Sequence, residues 1–354
     1  MTSCDKKLVV LDAPDFDVTT TAATYKAGQE VLFNFTGNAH VVSFYSGETL
    51  KDYDFIAGRV IDVKGAGATM EFTSSVQYGV QTNQVTVLAS TDFNGDYSTL
   101  AKVKAATWLD ITGRFKLGTT ATFLAAGKID ISDLAVTGKP IYIAFKYVTK
   151  PQATNGIVRW WYIQGFAVKS KATLVNTASA TPIALTLADQ NSAGFRIIDQ
   201  NPAVLLPAVS APALSQITAT RITLIGNNYL YATLPAYDST NPIYDATNPI
   251  YDPLSPAYQP LAKLPVFVPF DPASPFNDPA SENWAVSTAI NLETVDLGPD
   301  WSTAVKVGIA AAPLTNYRYK YTNAGTFKAV FIGSNNSIDD AKVVTKEITL
   351  TITQ

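Results

Sequence analysis

Glu30-Val31-Leu32-Phe33-Asn34-Phe35 sets Val31, Phe33 and Phe35 on one side of an extended chain and Glu30 and Asn34 on the other. That two-residue period belongs to a half-buried β-strand; a helix would repeat its apolar positions every three or four residues. The pattern returns in Gln84-Val85-Thr86-Val87-Leu88-Ala89 and in Ile141-Tyr142-Ile143-Ala144-Phe145-Lys146-Tyr147. Residues 157–168, 326–332 and 343–352 continue it, each run being bounded by turn-forming residues. No stretch predicts a helix longer than two turns, and residues 130–134 read as at most one.

The composition agrees. Hydrophobic residues make up 47% of the 354 positions and charged residues only 16%. This mixture, rich in Thr, Ser, Asn and Ala, favours sheets and is long enough for two domains or one enlarged one. With 26 Lys and Arg against 29 Asp and Glu, spread along the chain, there is no basic face for a phosphate backbone, so no nucleic acid is expected as a partner. One cysteine and one histidine, His40, exclude a disulfide framework, a thiolate metal site and the usual imidazole-based nucleophile pairs. His40 follows the turn Gly37-Asn38-Ala39 and reads as part of it. No apolar run reaches the roughly 18 residues that a spanning helix needs.

The segment 236–279 differs in kind. Proline and aspartate are dense there, and Tyr237-Asp-Ser-Thr-Asn-Pro-Ile243 is followed by Tyr244-Asp-Ala-Thr-Asn-Pro-Ile250 and a degenerate Tyr251-Asp-Pro. Proline at this density is incompatible with central strands, and two copies are too few for a solenoid. An extended surface loop is expected.

Thr2-Ser3-Cys4-Asp5-Lys6-Lys7 resembles the end of a bacterial lipoprotein signal, with small residues before the cysteine and a polar tether after it. On that reading Cys4 is the lipid attachment site and residues 1–8 are a tether. The other reading is an unpaired thiol at a frayed end.

Two separated stretches resemble the opening and closing strands of a polycystic-kidney-disease-type immunoglobulin-like domain. The first is Ala27-Gly28-Gln-Glu-Val-Leu-Phe-Asn-Phe-Thr-Gly37-Asn38 with Val42-Ser-Phe-Tyr45-Ser46-Gly47-Glu48. The second is Tyr317-Arg-Tyr319-Lys-Tyr321-Thr-Asn-Ala-Gly325-Thr326-Phe327-Lys-Ala-Val330 with Ser334-Asn335 and the strand at 345–352. Between them, Ser90-Thr91-Asp92-Phe93-Asn94-Gly95, Trp108 with Ile111-Thr112, Gly138-Lys139-Pro140 and Trp161-Tyr-Ile-Gln-Gly-Phe166 resemble a jelly roll of the galactose-binding-like sort. Together they resemble a domain-of-unknown-function family of Bacteroidetes cell-surface lipoproteins found alongside polysaccharide-uptake systems. The resemblance implies an all-β chain: a discontinuous Ig-like sandwich at 9–60 plus 304–354, with a larger jelly-roll sandwich at 61–303 inserted into it. Two consecutive sandwiches followed by a third small one is the alternative arrangement.

Sugar rings expose apolar C–H patches beside hydroxyls, so flat aromatic faces flanked by hydrogen-bonding groups are the residues that hold them. In Arg159-Trp160-Trp161-Tyr162-Ile163, strand alternation places Trp161 and Ile163 on one face, read as core, and Trp160 and Tyr162 on the other. Trp160 and Tyr162 are therefore candidate carbohydrate-binding residues. Tyr237, Tyr244, Tyr251 and Tyr258 recur at seven-residue intervals, each followed by Asp or Gln, and are candidates for the same role. The bland reading is that Trp160 lies under a neighbouring loop and that the tyrosines pin their own loop. Asp92, Asn94 and Asp96 offer oxygens at alternate positions, a weak candidate for a structural calcium, which wants roughly six to eight oxygen ligands. A simple turn is the stronger reading. Glu48, after the turn glycine, is read as closing a hairpin.

Most aspartates sit beside Asn, Gly, Pro or Ser, in turn chemistry rather than as the paired carboxylates of a glycosidase. The expectation is a non-catalytic, carbohydrate-binding lipoprotein of the outer membrane, surface-exposed and held only by its lipid, that passes poly- or oligosaccharide to an outer-membrane transporter complex. The alternatives are an adhesin or structural surface protein, or a transporter-accessory subunit, binding protein rather than glycan. No cofactor is expected.

Overall fold

The alternation in the sequence becomes strands almost throughout the residues that the computed structural model describes: 11–200, 215–225, 229–233, 265–269 and 280–354. The chain is an all-β sandwich protein, and it divides into two compact units. One comprises residues up to Asp62, Thr173–Leu185 and Val295–Gln354; the other comprises Val63–Ala172 and Thr186–Thr294.

In the smaller unit a three-stranded sheet places Glu30–Asn38 between Asp15–Thr20 and Asn316–Lys320. A five-stranded sheet runs in the order Thr24–Lys26, Ala341–Thr353, Gly325–Asn336, Val41–Tyr45, Thr303–Val307. Both sheets are thus assembled from the two ends of the chain. Val31, Phe33 and Phe35, the alternating set of the sequence, point inward and are buried. Phe33 meets the edge of Phe331 at 4.9 Å, and Phe44 stacks on Phe331 at 4.6 Å. Such ring pairs contribute about 0.5–1.5 kcal/mol each beyond their buried area. Segment Thr173–Leu185 is stitched to this unit by Thr49 N–H donating to Thr177 Oγ1 at 2.7 Å and by Asn323 Nδ2 donating to the Thr177 carbonyl at 2.9 Å.

The expected hairpin at Glu48 is present, but its carboxylate is not at the surface. Glu48 is buried, accepting hydrogen bonds from Ser46 Oγ at 2.9 Å and from the Tyr319 hydroxyl. Gly47 has φ +78°, and a Cβ there would lie 2.7 Å from the Lys328 backbone, so glycine is required.

The larger unit packs two sheets face to face. The first runs Ile129–Asp130, Ala68–Gln77, Trp160–Leu174, Arg221–Leu224, Gln216–Ile217, with Ile183–Asp189 also pairing to Trp160–Leu174. The second runs Arg196–Asp199, Ser281–Val286, Tyr142–Thr149, Val85–Ser90, Leu109–Asp110. Trp161, Ile163, Phe166, Phe145, Ile143 and Val87 fill the space between them. The outer face of the second sheet carries its own apolar cluster, Leu88, Ala144, Trp284, Val286 and Ile198, covered by Phe93, Leu100 and Val103. Leu100 and Val103, three apart, share one face of the short helix Leu100–Lys104. Thr99 caps that helix by accepting the Lys102 N–H at 3.3 Å.

Within the proline-rich segment, Pro265–Pro269 pairs antiparallel with Tyr229–Thr233. The tandem heptads lie outside the described residues.

Candidate functional site

One end of the larger unit is built from two loops, 78–84 and 150–159. Strand Ala68–Gln77 ends opposite Trp160, and the next residue, Tyr78, turns into the left-handed region with φ +59°. Gly79 follows at φ +47°, where a Cβ would collide with the Ile157 and Val158 carbonyls at 2.3 and 2.2 Å. The two backbones can approach this closely only because residue 79 has no side chain. Val80 N–H then donates to the Ile157 carbonyl at 2.8 Å. The buried Gln81 amide locks the loops together, donating through Nε2 to the carbonyls of Lys150 and Gly156, both at 2.8 Å, and accepting the Lys150 N–H at 3.0 Å.

Tyr78 is held outward by this arrangement, 66% exposed, with its ring edge-on to Trp160 at 4.9 Å and 72°. Val80 and Ile157, each 62% exposed, form an apolar shoulder beside it. Thr82 and Asn83 are exposed on the first loop and supply hydroxyl and amide groups; on the second, Asn155 Nδ2 donates to the Pro151 carbonyl at 2.7 Å and to the exposed Thr154 hydroxyl at 2.9 Å. The chemistry on offer is a ring face, an apolar shoulder and neutral hydrogen-bonding groups, which is the set that orients a polyhydroxylated ring.

Of the residues singled out by alternation, Trp161 and Ile163 are core, as expected. Trp160 is partly exposed on the opposite face and paired with Tyr78. Tyr162 shares that face but is only 8% exposed: the Arg221 guanidinium lies 4.8 Å over its ring and its hydroxyl donates to Gln77 Oε1 at 3.3 Å. It braces the strand pair rather than offering a surface. Tyr78 was not singled out, although the Gln77-Tyr78-Gly79 sequence carries the signal of an aromatic at a glycine turn. Cys4, Tyr237, Tyr244, Tyr251 and Tyr258 lie outside the described residues.

Asp92, Asn94 and Asp96 spend their oxygens on turns. Asp92 Oδ1 accepts from Ser90 Oγ at 2.8 Å and from Thr107 N–H at 2.9 Å; Asn94 Oδ1 accepts the Asp96 N–H and Asp96 Oδ1 the Ser98 N–H, each at 3.0 Å. Thr107 and Ser90 hold the Asp92 carboxyl below the usual range, as Ser98 does for Asp96. Among the described residues no group of three or more His, Cys, Asp or Glu side chains could hold a metal ion.

A second concave surface lies on the outer face of the larger unit's second sheet. Helix Leu100–Lys104 and strand Arg196–Asp199 border a cleft of about 670 Å3 that includes Tyr97, Ser98, Asp199 and Gln200. Tyr97 is fixed by its hydroxyl, which donates to the Ser287 carbonyl at 2.8 Å, and by the Arg196 guanidinium 4.7 Å over its ring. A neighbouring groove is lined by Thr86, Trp108, Asp110, Lys146 and Trp284. Glu282 organises its rim, accepting from Lys104 Nζ at 2.8 Å and from Trp284 Nε1 at 2.7 Å, with Lys146 Nζ at 3.7 Å. Burial alone would raise the Glu282 carboxyl; the Lys104 ammonium and the Trp284 indole N–H outweigh it and hold the group below its ordinary value.

No curated protein and no solved structure matches the chain. The model of one family, described as a domain of unknown function (DUF5017), matches residues 3–193. That span includes Tyr78, Trp160, Tyr97 and Lys104, and it exceeds half of the sequence. The chain belongs to the DUF5017 family.

Proposed function

We propose that this protein binds glycan without cleaving it, and that the Tyr78–Trp160 ring pair is where it meets the sugar. The observation that carries the reading is Tyr78 itself. A tyrosine in the left-handed region costs about 1–2 kcal/mol relative to ordinary backbone, and the chain bears that cost to hold a ring two-thirds exposed. The ring so presented stands beside Trp160 and the exposed Val80 and Ile157. A second support is electrostatic: the carboxyls of Asp17, Asp92, Asp96, Asp130, Asp133, Asp189, Glu282 and Asp340 are all held below their ordinary range. An acid catalyst for glycoside hydrolysis needs the opposite shift.

The lipoprotein-like segment Thr2-Ser3-Cys4-Asp5-Lys6-Lys7 extends the proposal to a lipid-anchored protein of the outer-membrane surface that serves polysaccharide capture and uptake. Metabolic labelling with a palmitate analogue tests that part, with Cys4→Ala expected to lose the label. Binding is tested by affinity electrophoresis in gels containing neutral polysaccharides. Retarded migration of the wild-type chain, abolished in Tyr78→Ala and Trp160→Ala with unchanged melting, is the expected result. Equal retardation of all three proteins would refute the site.

Val80 and Ile157 favour a second reading, in which the same tip docks on a protein such as a transporter subunit, since an apolar shoulder beside an aromatic is also the composition of an interface centre. Capture of a defined partner that is lost in Val80→Asp/Ile157→Asp, with glycan retardation absent, would select it.

A further inference from the structure

Two hydrogen bonds fix where the chain enters the smaller unit. Leu11 N–H donates to Asp340 Oδ2 at 3.2 Å, and Asn335 Nδ2 donates to the Asp12 carbonyl at 3.1 Å. Both partners belong to the hairpin that joins Gly325–Asn336 to Ala341–Thr353. The turn Asn38-Ala39-His40 lies at the same end, since His40 N–H donates to Asn335 Oδ1 at 3.0 Å. Lys306 ties a further strand to it, its Nζ donating to Asn38 Oδ1 and to the Ala39 carbonyl, both at 2.7 Å.

This end also exposes aliphatic side chains. Ser337-Ile338-Asp339-Asp340 makes the hairpin turn, closed by Ser337 N–H on the Asp340 carbonyl at 2.8 Å. Serine and aspartate are ordinary turn formers; Ile338 is not, and at 88% exposure it adds almost nothing to the core. Val307, Val41, Ser334 and Val343 pair in one row over four adjacent strands, which sets their side chains on one face of the sheet. Val307 and Val343 are exposed at the two ends of that row. Ile309 is exposed as well, two residues beyond Val307, in the turn that Ala311 N–H closes on the Gly308 carbonyl at 3.1 Å.

The position of Cys4 says what meets these side chains. It lies seven residues before Leu11 (11 minus 4), and seven residues reach at most roughly 25 Å when fully extended. A lipid on Cys4 therefore keeps Leu11, and with it the hairpin turn, within about that distance of the bilayer. A link so short gives an effective concentration of order millimolar, so side chains too few to bind a free chain suffice to orient a tethered one. We infer that this end of the smaller sandwich faces the membrane and seats Ile338, Ile309 and Val307 in the headgroup boundary of the bilayer. The inference rests on the lipid-anchor reading above and deepens it by naming the surface that rests on the lipid.

Cys4 is the single cysteine of the sequence, so the full chain can be coupled through it to a maleimide phospholipid in phosphatidylcholine vesicles. The zwitterionic lipid suits Asp339, which is exposed beside Ile338 and would be repelled by an anionic headgroup. Ile338→Trp reports on this end. Ala57→Trp is the control: residue 57 is exposed on the loop whose Asp54 is ion-paired to Lys328, six residues along the strand from Ser334 (334 minus 328), about 20 Å away. With brominated lipid in the vesicles, Ile338→Trp is expected to lose emission and shift to the blue, while Ala57→Trp loses no more than the wild-type chain. Adding Val307→Asp/Ile309→Asp to Ile338→Trp should abolish that loss with unchanged melting. Equal loss at both positions, or none at Ile338→Trp, would overturn the membrane-facing end. A blue shift without vesicles, together with a doubled mass by light scattering, would assign these side chains to a second copy and overturn it too. The palmitate labelling in cells keeps the two readings apart: label on Cys4 without quenching overturns the facing end alone, and absence of label overturns the anchor and the facing end together.

Discussion

Arg59 donates two parallel hydrogen bonds to Asp300, from Nε to Oδ1 at 2.9 Å and from Nη2 to Oδ2 at 2.7 Å, across 241 residues of chain. Both side chains are buried, and the Phe55 ring lies 3.5 Å from the guanidinium carbon. Arg59 stands near the end of the first segment of the smaller unit and Asp300 near the start of its last. The pair therefore closes a sandwich whose halves are contributed by opposite ends of the sequence.

Removing Asp300 takes two direct hydrogen bonds from the buried Arg59, leaving it the Asp52 carboxylate at 4.0 Å, and takes the acceptor from the Asp52 N–H. Asp300→Ala is expected to destabilise the smaller unit by about 3–5 kcal/mol, and Arg59→Met/Asp300→Leu to recover most of that loss. Urea unfolding monitored on both variants measures it. A double variant no more stable than Asp300→Ala would show that geometry around the pair, not its charge, is what matters.

Buried phenols make the stability sensitive to alkali. Burial raises the hydroxyls of Tyr147, Tyr319 and Tyr321, the buried Glu48 adding to the effect at Tyr319 and Tyr321. Each folded-state value lies above the unfolded value of about 10. The contribution is complete below that value and falls as pH rises beyond it, because the unfolded chain then releases protons that the folded chain retains. Urea midpoints are expected to be level in this respect up to about pH 9 and to drop beyond about pH 10, with a smaller drop in Tyr319→Phe.

Gly47 offers a backbone test. Gly47→Ala must place a Cβ 2.7 Å from the Lys328 backbone at φ +78°, so it is expected to cost well over 1 kcal/mol. Gly28→Ala, also at positive φ (+80°) but with open space around it, should cost only the roughly 1–2 kcal/mol of the left-handed conformation, clearly less than Gly47→Ala. Thermal melts of the two variants separate steric collision from strain alone.

The all-β fold was legible because a period of two needs only local sequence. Val31, Phe33 and Phe35 point inward as alternation requires, and Trp161 with Ile163 does the same. The return of Thr173–Leu185 to the smaller unit was not legible, since its attachment runs through a few hydrogen bonds such as Thr49 to Thr177 that leave no periodic trace. The candidate site was half legible. Alternation separated Trp160 from the core, but Tyr162 on the same face is covered by Arg221, which arrives from a strand some sixty positions away in sequence (221 minus 162). Tyr78 escaped notice because its exposure depends on a left-handed backbone that strand patterns do not encode.

The exposed tyrosine carries the central claim, and replacing it with the residue that its backbone prefers tests it most directly. Tyr78→Gly relieves the left-handed conformation, so the melting temperature should hold or rise, the gain in stability being about 1 kcal/mol. Isothermal titration of this variant against the neutral glycan that retards the wild-type protein is the deciding measurement. Loss of the heat assigned to the tip site, in a protein at least as stable as the original, is the predicted result. Undiminished binding at that site would mean that the ring is held outward for some other purpose, and would contradict the account.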